Sequence, residues 1–170
     1  DPRLGAVLGL CELDAGQETA ARPLLETALA AGVVRPRVYH EIARLRFADL
    51  IRNQATREFT AGELAPVIEA LRSGAKQAPA LPETFALLAD AWLRCQEAPP
   101  AGDFALLAHG AHLFSWRPAL NYRIALLQAR HGRRAEAEKA IANGLASATD
   151  EPTRARFTQL QALLATPRKP

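Results

Sequence analysis

The chain has 170 residues, of which 49% are hydrophobic, 23% charged and only 6% aromatic, with a net charge of +3. That profile excludes a disordered polyelectrolyte, and no apolar run approaches the ~20 residues needed to span a bilayer. The mildly basic balance permits an acidic partner without requiring nucleic acid. Ala and Leu dominate the apolar content while β-branched and aromatic residues are sparse, which predicts helices. The first pair is predicted near Pro2–Asp14 and Gln17–Ala31, with Gly16 in the turn. Ala21, Leu25 and Ala28 have the spacing of one buried helical face. Gly32 closes that helix and Pro36 opens the next.

From Pro36, the residues Val38, Ile42, Leu45 and Leu50 face inward on the helical period. Thr60-Ala61-Gly62-Glu63 reads as a capping box ahead of Leu64, Val67, Ile68 and Leu71. A third pair starts at Pro82, carries Phe85, Leu88, Ala89 and Trp92 on one stripe, and has its first helix ending near Gln96. Ala98-Pro99-Pro100-Ala101-Gly102 is a loop, after which Asp103 is placed to cap the second helix. A fourth pair runs from Pro118 through Gln128, turns at Gly132 and returns over Ala135–Leu145. Asp150-Glu151-Pro152 starts a ninth helix over 151–165, with Phe157, Leu160, Leu163 and Leu164 on its apolar side, and 167–170 form a tail.

The four pairs share one pattern. A bulky residue beside a small one recurs as Leu8-Gly9, Ile42-Ala43, Leu88-Ala89 and Ile124-Ala125. A second small residue follows as Leu25…Ala28, Leu71…Gly74, Leu107…Gly110 and Ile141…Gly144. The first small residues are 34, 46 and 36 apart and the second 46, 36 and 34, near the ~34-residue period of a helix-turn-helix repeat. Within a pair the two small residues lie 19 apart in units 1 and 4, 21 in unit 3 and 31 in unit 2. About a dozen residues, Asp49–Phe59, are therefore inserted in unit 2. They form either a loop on one face or an added turn or two of helix, and the breaker-free Asp49-Leu50-Ile51-Arg52 favours the longer helix.

Catalytic and metal chemistry find little support. His40-Glu41-Ile42-Ala43-Arg44 misses the zinc-protease pattern because Arg44 stands where the second His belongs. His109 and His112, with Asp103, are too few for a closed metal site. Arg130-His131-Gly132-Arg133-Arg134 reads first as a solvated turn, with phosphate or acidic-partner binding as the minority alternative. Cys11 and Cys95 read as small core residues, not as a disulfide framework. No catalytic residue, cofactor or metal is assigned. The chain opens at Asp1 and contains no Met, which points to a partial or processed polypeptide and leaves the compartment open between cytoplasmic and exported.

These residues resemble the tetratricopeptide repeat (TPR) family over essentially the whole chain. Unit 1 matches over Leu8-Gly9, Gly16, Ala21, Leu25 and Ala28, and unit 4 over Ile124-Ala125, Gly132, Ala137, Ile141 and Gly144. Unit 2 departs through its insertion and Val67, and unit 3 through its Pro-Pro loop and Asp103. The resemblance implies an all-α, right-handed α-solenoid of four helix pairs plus a C-terminal capping helix. It would form one repeat domain over 1–166, in units 2–35, 36–79, 81–117 and 118–148 with the cap at 151–165. It also implies a concave groove for a peptide or partner protein, an acidic one by charge, with no nucleic acid expected. On that mapping the groove receives Arg3, Ala6 and Leu10, then Arg37, His40, Arg44 and Phe47, then Glu83, Ala86, Asp90 and Arg94, then Tyr122, Leu126 and Arg130. The expected job is a protein-interaction scaffold within a larger bacterial protein. The alternative is a non-catalytic accessory domain of a bacterial enzyme, such as a hydrolase, whose active site lies elsewhere.

Overall fold

The computed structural model describes residues 1–53 and 57–165, and every regular element among them is a helix. In order these are α1 (Pro2–Asp14), α2 (Glu18–Ala30), α3 (Pro36–Asn53), α4 (Ala61–Ala75), α5 (Pro82–Leu93), α6 (Ala101–Leu113), α7 (Pro118–Arg130), α8 (Arg134–Ser147) and α9 (Glu151–Ala165). The starts follow local chemistry. Pro opens α1, α3, α5 and α7, where its missing N–H and fixed φ cost nothing. Thr60 and Glu63 form the expected capping box, with the Thr60 amide donating to Glu63 Oε2 at 2.8 Å. Asp150 Oδ1 accepts from the Thr153 amide at 2.8 Å and so starts α9. At the turns after α1 and α7, Gly16 and Gly132 sit at φ 77° and 73°, where a side chain would be strained.

By internal packing the chain falls into two compact halves, Asp1–Thr84 and Phe85–Pro170. In the first, α1 packs on α2 and α3 on α4, and one buried cluster joins Ala6, Leu10, Ala21, Leu25 and Ala28 to Val38, Tyr39 and Ile42. Close approach demands the small residues. A Cβ on Gly9 would stand 2.8 Å from Leu25 Cδ2, and one on Gly74 would stand 2.9 Å from Tyr39 Cβ. In the second half α7 packs on α8 and α9 on both, while the Phe85 ring of α5 fills the space a side chain on Gly110 of α6 would need.

The insertion in repeat unit 2 resolves largely as the longer helix. α3 continues to Asn53, and Asp49 within the added turns is held by Arg22 of α2 at 2.7 Å. Phe59 then turns inward, fully buried, edge-on to Phe47 at 6.5 Å between ring centroids. Residues 54–56 of the insertion and the expected tail at 167–170 lie outside the described residues.

Several local expectations need correction. The helix expected to end near Gln96 stops at Leu93, and α6 begins at Ala101 with Pro100 as its flanking residue. Asp103 is therefore no cap. It is buried inside the first turn of α6 and accepts the Trp92 indole N–H at 2.7 Å. Cys11 is exposed, whereas Cys95 is buried. Leu8 is also exposed, Leu50 is half-buried, and of the α9 apolar residues Leu163 points to solvent.

Candidate functional site

In the first half the basic residues of α3 face acidic residues of the preceding pair. Arg37 bonds Asp14, and Arg44 reaches Glu41 at 2.7 Å and Glu18 at 3.2 Å. Arg46 lies 3.7 Å from Glu26, and Arg22 answers in the other direction through Asp49. Hydrogen bonding to Arg37 holds the Asp14 carboxyl below its usual range. These exposed pairs each contribute little to stability, but together they fix the register of α3 against α1 and α2. His40 is half-buried, its Nδ1 enclosed without a partner, and burial lowers its pKa despite Glu41 and Glu83 nearby. Of the four groove residues expected here, then, Arg37 and Arg44 have their charge met locally. Phe47 is buried against Phe59. Ala6 and Leu10, mapped to the groove start, are core residues.

The second half builds a pocket of about 310 Å³ from α5, α7 and α9. Leu93, Pro118, Ala119, Leu126 and Phe157 supply apolar walls, and Asp90, Tyr122, Arg123, Thr153 and Arg156 supply polar groups. Arg123 Nε bonds both Asp90 oxygens, at 2.9 and 3.0 Å. Burial pushes the Asp90 carboxyl pKa up, and Arg123 opposes that shift. The Tyr122 ring stands edge-on to Phe157 at 5.4 Å, and the exposed Arg156 guanidinium lies 4.4 Å from the centre of that ring. Arg156 makes no ion pair among the described residues.

Asp90 and Tyr122, expected in a concave groove, line this pocket, as do Arg123, Thr153, Arg156 and Phe157, which were not among the residues expected from sequence. Arg123 was visible in one respect, since it falls 33 residues after Asp90, about one repeat on. Arg130, expected in the groove, donates from Nη1 to the Leu93 carbonyl at 2.7 Å, at the C-terminus of α5. Arg94 is half-buried just beyond the same helix end. The other arginines of the basic run are likewise engaged: Arg133 bonds Glu136 and lies 4.5 Å from the Phe104 ring centre, and Arg134 bonds Glu138. His109 and His112 are exposed. Among the described residues no group of three His, Cys, Asp or Glu side chains could hold a metal, and no helix is long and apolar enough to cross a membrane.

No protein-family model matches the chain, and no curated protein matches it. Among solved structures it is similar to MamA, with 15% identity and a TM-score of 0.65, over 96% of this chain and 80% of that one. It is also similar to a thermophilic TPR protein of Thermus thermophilus, with 17% identity and a TM-score of 0.55, over 97% and 84% of the two chains. At these identities the likeness is one of fold. The chain has a TPR-like fold, an all-α helical-repeat scaffold of the solenoid class.

Proposed function

We propose that the scaffold binds a partner protein, and that the pocket between α5, α7 and α9 takes an extended segment of it that carries a carboxylate beside an apolar side chain. The observation that carries this reading is Arg156, stacked on Tyr122 at 4.4 Å with no acidic partner among the described residues, at the edge of an apolar-walled pocket of about 310 Å³. Such a size suits one or two side chains. A guanidinium over a ring can still offer its N–H groups to a carboxylate, and the ring adds buried area. Because Asp90 is already neutralised by Arg123, the pocket retains one uncompensated positive charge. Arg37 and Arg44 contribute less to such binding than their positions suggest, because Asp14, Glu18 and Glu41 meet their charge.

The test is fluorescence polarisation with short labelled peptides of alternating Glu and Leu, set against Gln-for-Glu versions of the same length. Binding of the acidic series is expected to weaken at higher salt, to be lost in Arg156→Glu and to fall in Tyr122→Ala, with helical circular dichroism unchanged. Equal binding of the Gln series, or intact binding by Arg156→Glu, overturns the reading.

A further inference from the structure

Helix α1 carries an apolar stripe on its outer side. Leu4, Val7, Leu8 and Cys11, at helical spacing i, i+3, i+4 and i+7, are all exposed, Leu4 by 57% and Leu8 by 47%. Internal repetition gives this stripe its meaning. The residues at the places of Leu4, Leu8 and Cys11 are Val38, Ile42 and Leu45 in α3, Thr84, Leu88 and Ala91 in α5, and Leu120, Ile124 and Leu127 in α7. All nine are buried. In α3 the cover is known: Val38 and Ile42 lie in one cluster with Ala21, Leu25 and Ala28 of α2. The α1 stripe is thus a face of the kind that α2 covers on α3, left uncovered among the described residues.

We propose that this face is a dimer interface, in which α1 packs antiparallel against α1 of a second copy. Three features favour this occupant. The stripe is self-complementary: about a two-fold axis between positions 7 and 8, Val7 meets its counterpart, Leu8 meets its counterpart, and Leu4 lies over Cys11. Charge agrees with the same orientation. Arg3 makes no ion pair among the described residues, and on that side of the helix it reaches toward Asp14 of the other copy, whose carboxylate is exposed beside Arg37. Finally, at the places equivalent to Leu4, Leu8 and Cys11, α9 carries Arg154, Thr158 and Gln161, all exposed, and its one large exposed apolar residue, Leu163, lies outside them. A polar face of that kind does not suit α1, so like-to-like pairing is favoured over head-to-tail growth.

The experiment is sedimentation of the 170-residue chain across a roughly hundredfold range of concentration, with iodoacetamide labelling of Cys11 alongside. A reversible dimer is expected, with Cys11 labelling several-fold slower at the highest concentration. Leu8→Glu is expected to give monomer at all concentrations with unchanged helical content, and Arg3→Glu to weaken the dimer at least severalfold. In a Cys11→Ser background, Val7→Cys is expected to oxidise to a covalent dimer, because the two-fold brings those positions together. A monomer at every concentration overturns the proposal and assigns the stripe to a helix of some other polypeptide segment. A dimer that survives Leu8→Glu also overturns it, because it places self-association on another surface.

Discussion

The ring of Phe157 occupies the space that a side chain on Gly144 would need. A Cβ built at Gly144 overlaps the far edge of that ring, which is fully buried between α8 and α9. Phe85 and Gly110 stand in the same relationship one helix pair earlier. A glycine on a second helix and a phenylalanine on a neighbouring helix thus form a notch and a knob. Gly144→Leu and Gly110→Leu are each expected to cost about 1–3 kcal/mol through overpacking. Gly102, with nothing near its Cβ position, is the control, and Gly102→Ala should be neutral or slightly stabilising. Urea denaturation of the three variants decides it. A midpoint unchanged in both leucine variants would mean the rings are not where the packing requires them.

Trp92 and Asp103 form a second test. The indole N–H donates to a carboxylate that is only 3% exposed, so removing Asp103 strands a buried N–H, and removing the indole takes a donor from a buried carboxylate. Asp103→Ala should cost about 1–3 kcal/mol, as should Trp92→Phe. Combining Trp92→Phe with Asp103→Leu should cost less than the sum, since the bond between the two side chains is lost only once. Strictly additive losses would show that the two side chains are not coupled.

Stability should fall as the solution becomes mildly acidic. Burial lowers the pKa of His40, and burial with Arg130 nearby lowers that of His131, both below the ordinary imidazole value of 6.5. The folded state therefore binds fewer protons than the unfolded chain once pH drops below that value. Stability rises with pH wherever the unfolded state holds more protons, so the loss begins near 6.5 and grows until the folded imidazoles themselves protonate. Nδ1 of His40 and Nε2 of His131 have no acceptor waiting to receive a new proton's hydrogen bond. Melting temperatures between about pH 7.5 and 5.5 should decline, and His40→Gln combined with His131→Gln should flatten the decline. A flat wild-type curve would show that these rings are solvated.

The two thiols should report their surroundings separately. Cys11 is exposed, whereas Cys95 is buried and its pKa is raised by that burial to about 11. In dilute native protein at neutral pH a disulfide reagent should consume one thiol quickly and the second only on denaturation. Rapid reaction of both would mean that the segment after α5 opens readily.

Much of the helix map was legible because its signals are local. Proline in a first turn, Thr60 with Glu63, and Gly16 and Gly132 between helices act through a few adjacent bonds, and all appear where the sequence places them. The small residues were legible through their spacing, although the rings opposite Gly110 and Gly144 were not, since they come from neighbouring helices. Asp103 was misread because a carboxylate at the start of a helix fits a cap and a buried acceptor equally well, and only the position of Trp92 decides. The exposure of Leu8 was not legible, because its three equivalents are buried and periodicity says nothing about whether a covering helix is present. The site was less legible still. Arg37 and Arg44 look available in one dimension, but they meet Asp14 and Glu18 only once α3 is set beside the first pair.

That last arrangement has a dynamic consequence. The seam between the first helix pair and α3 combines an apolar contact, Leu25 and Ala28 with Ile42, and a row of partly exposed charge pairs from Arg37 to Asp49. Ambient ions weaken the second component within about a Debye length of ~10 Å at ~0.1 M and leave the first almost untouched. Local opening of α1 and α2 is consequently a property that the medium can set, so amide exchange in those two helices should quicken with added salt while the buried amides of α7 keep their pace.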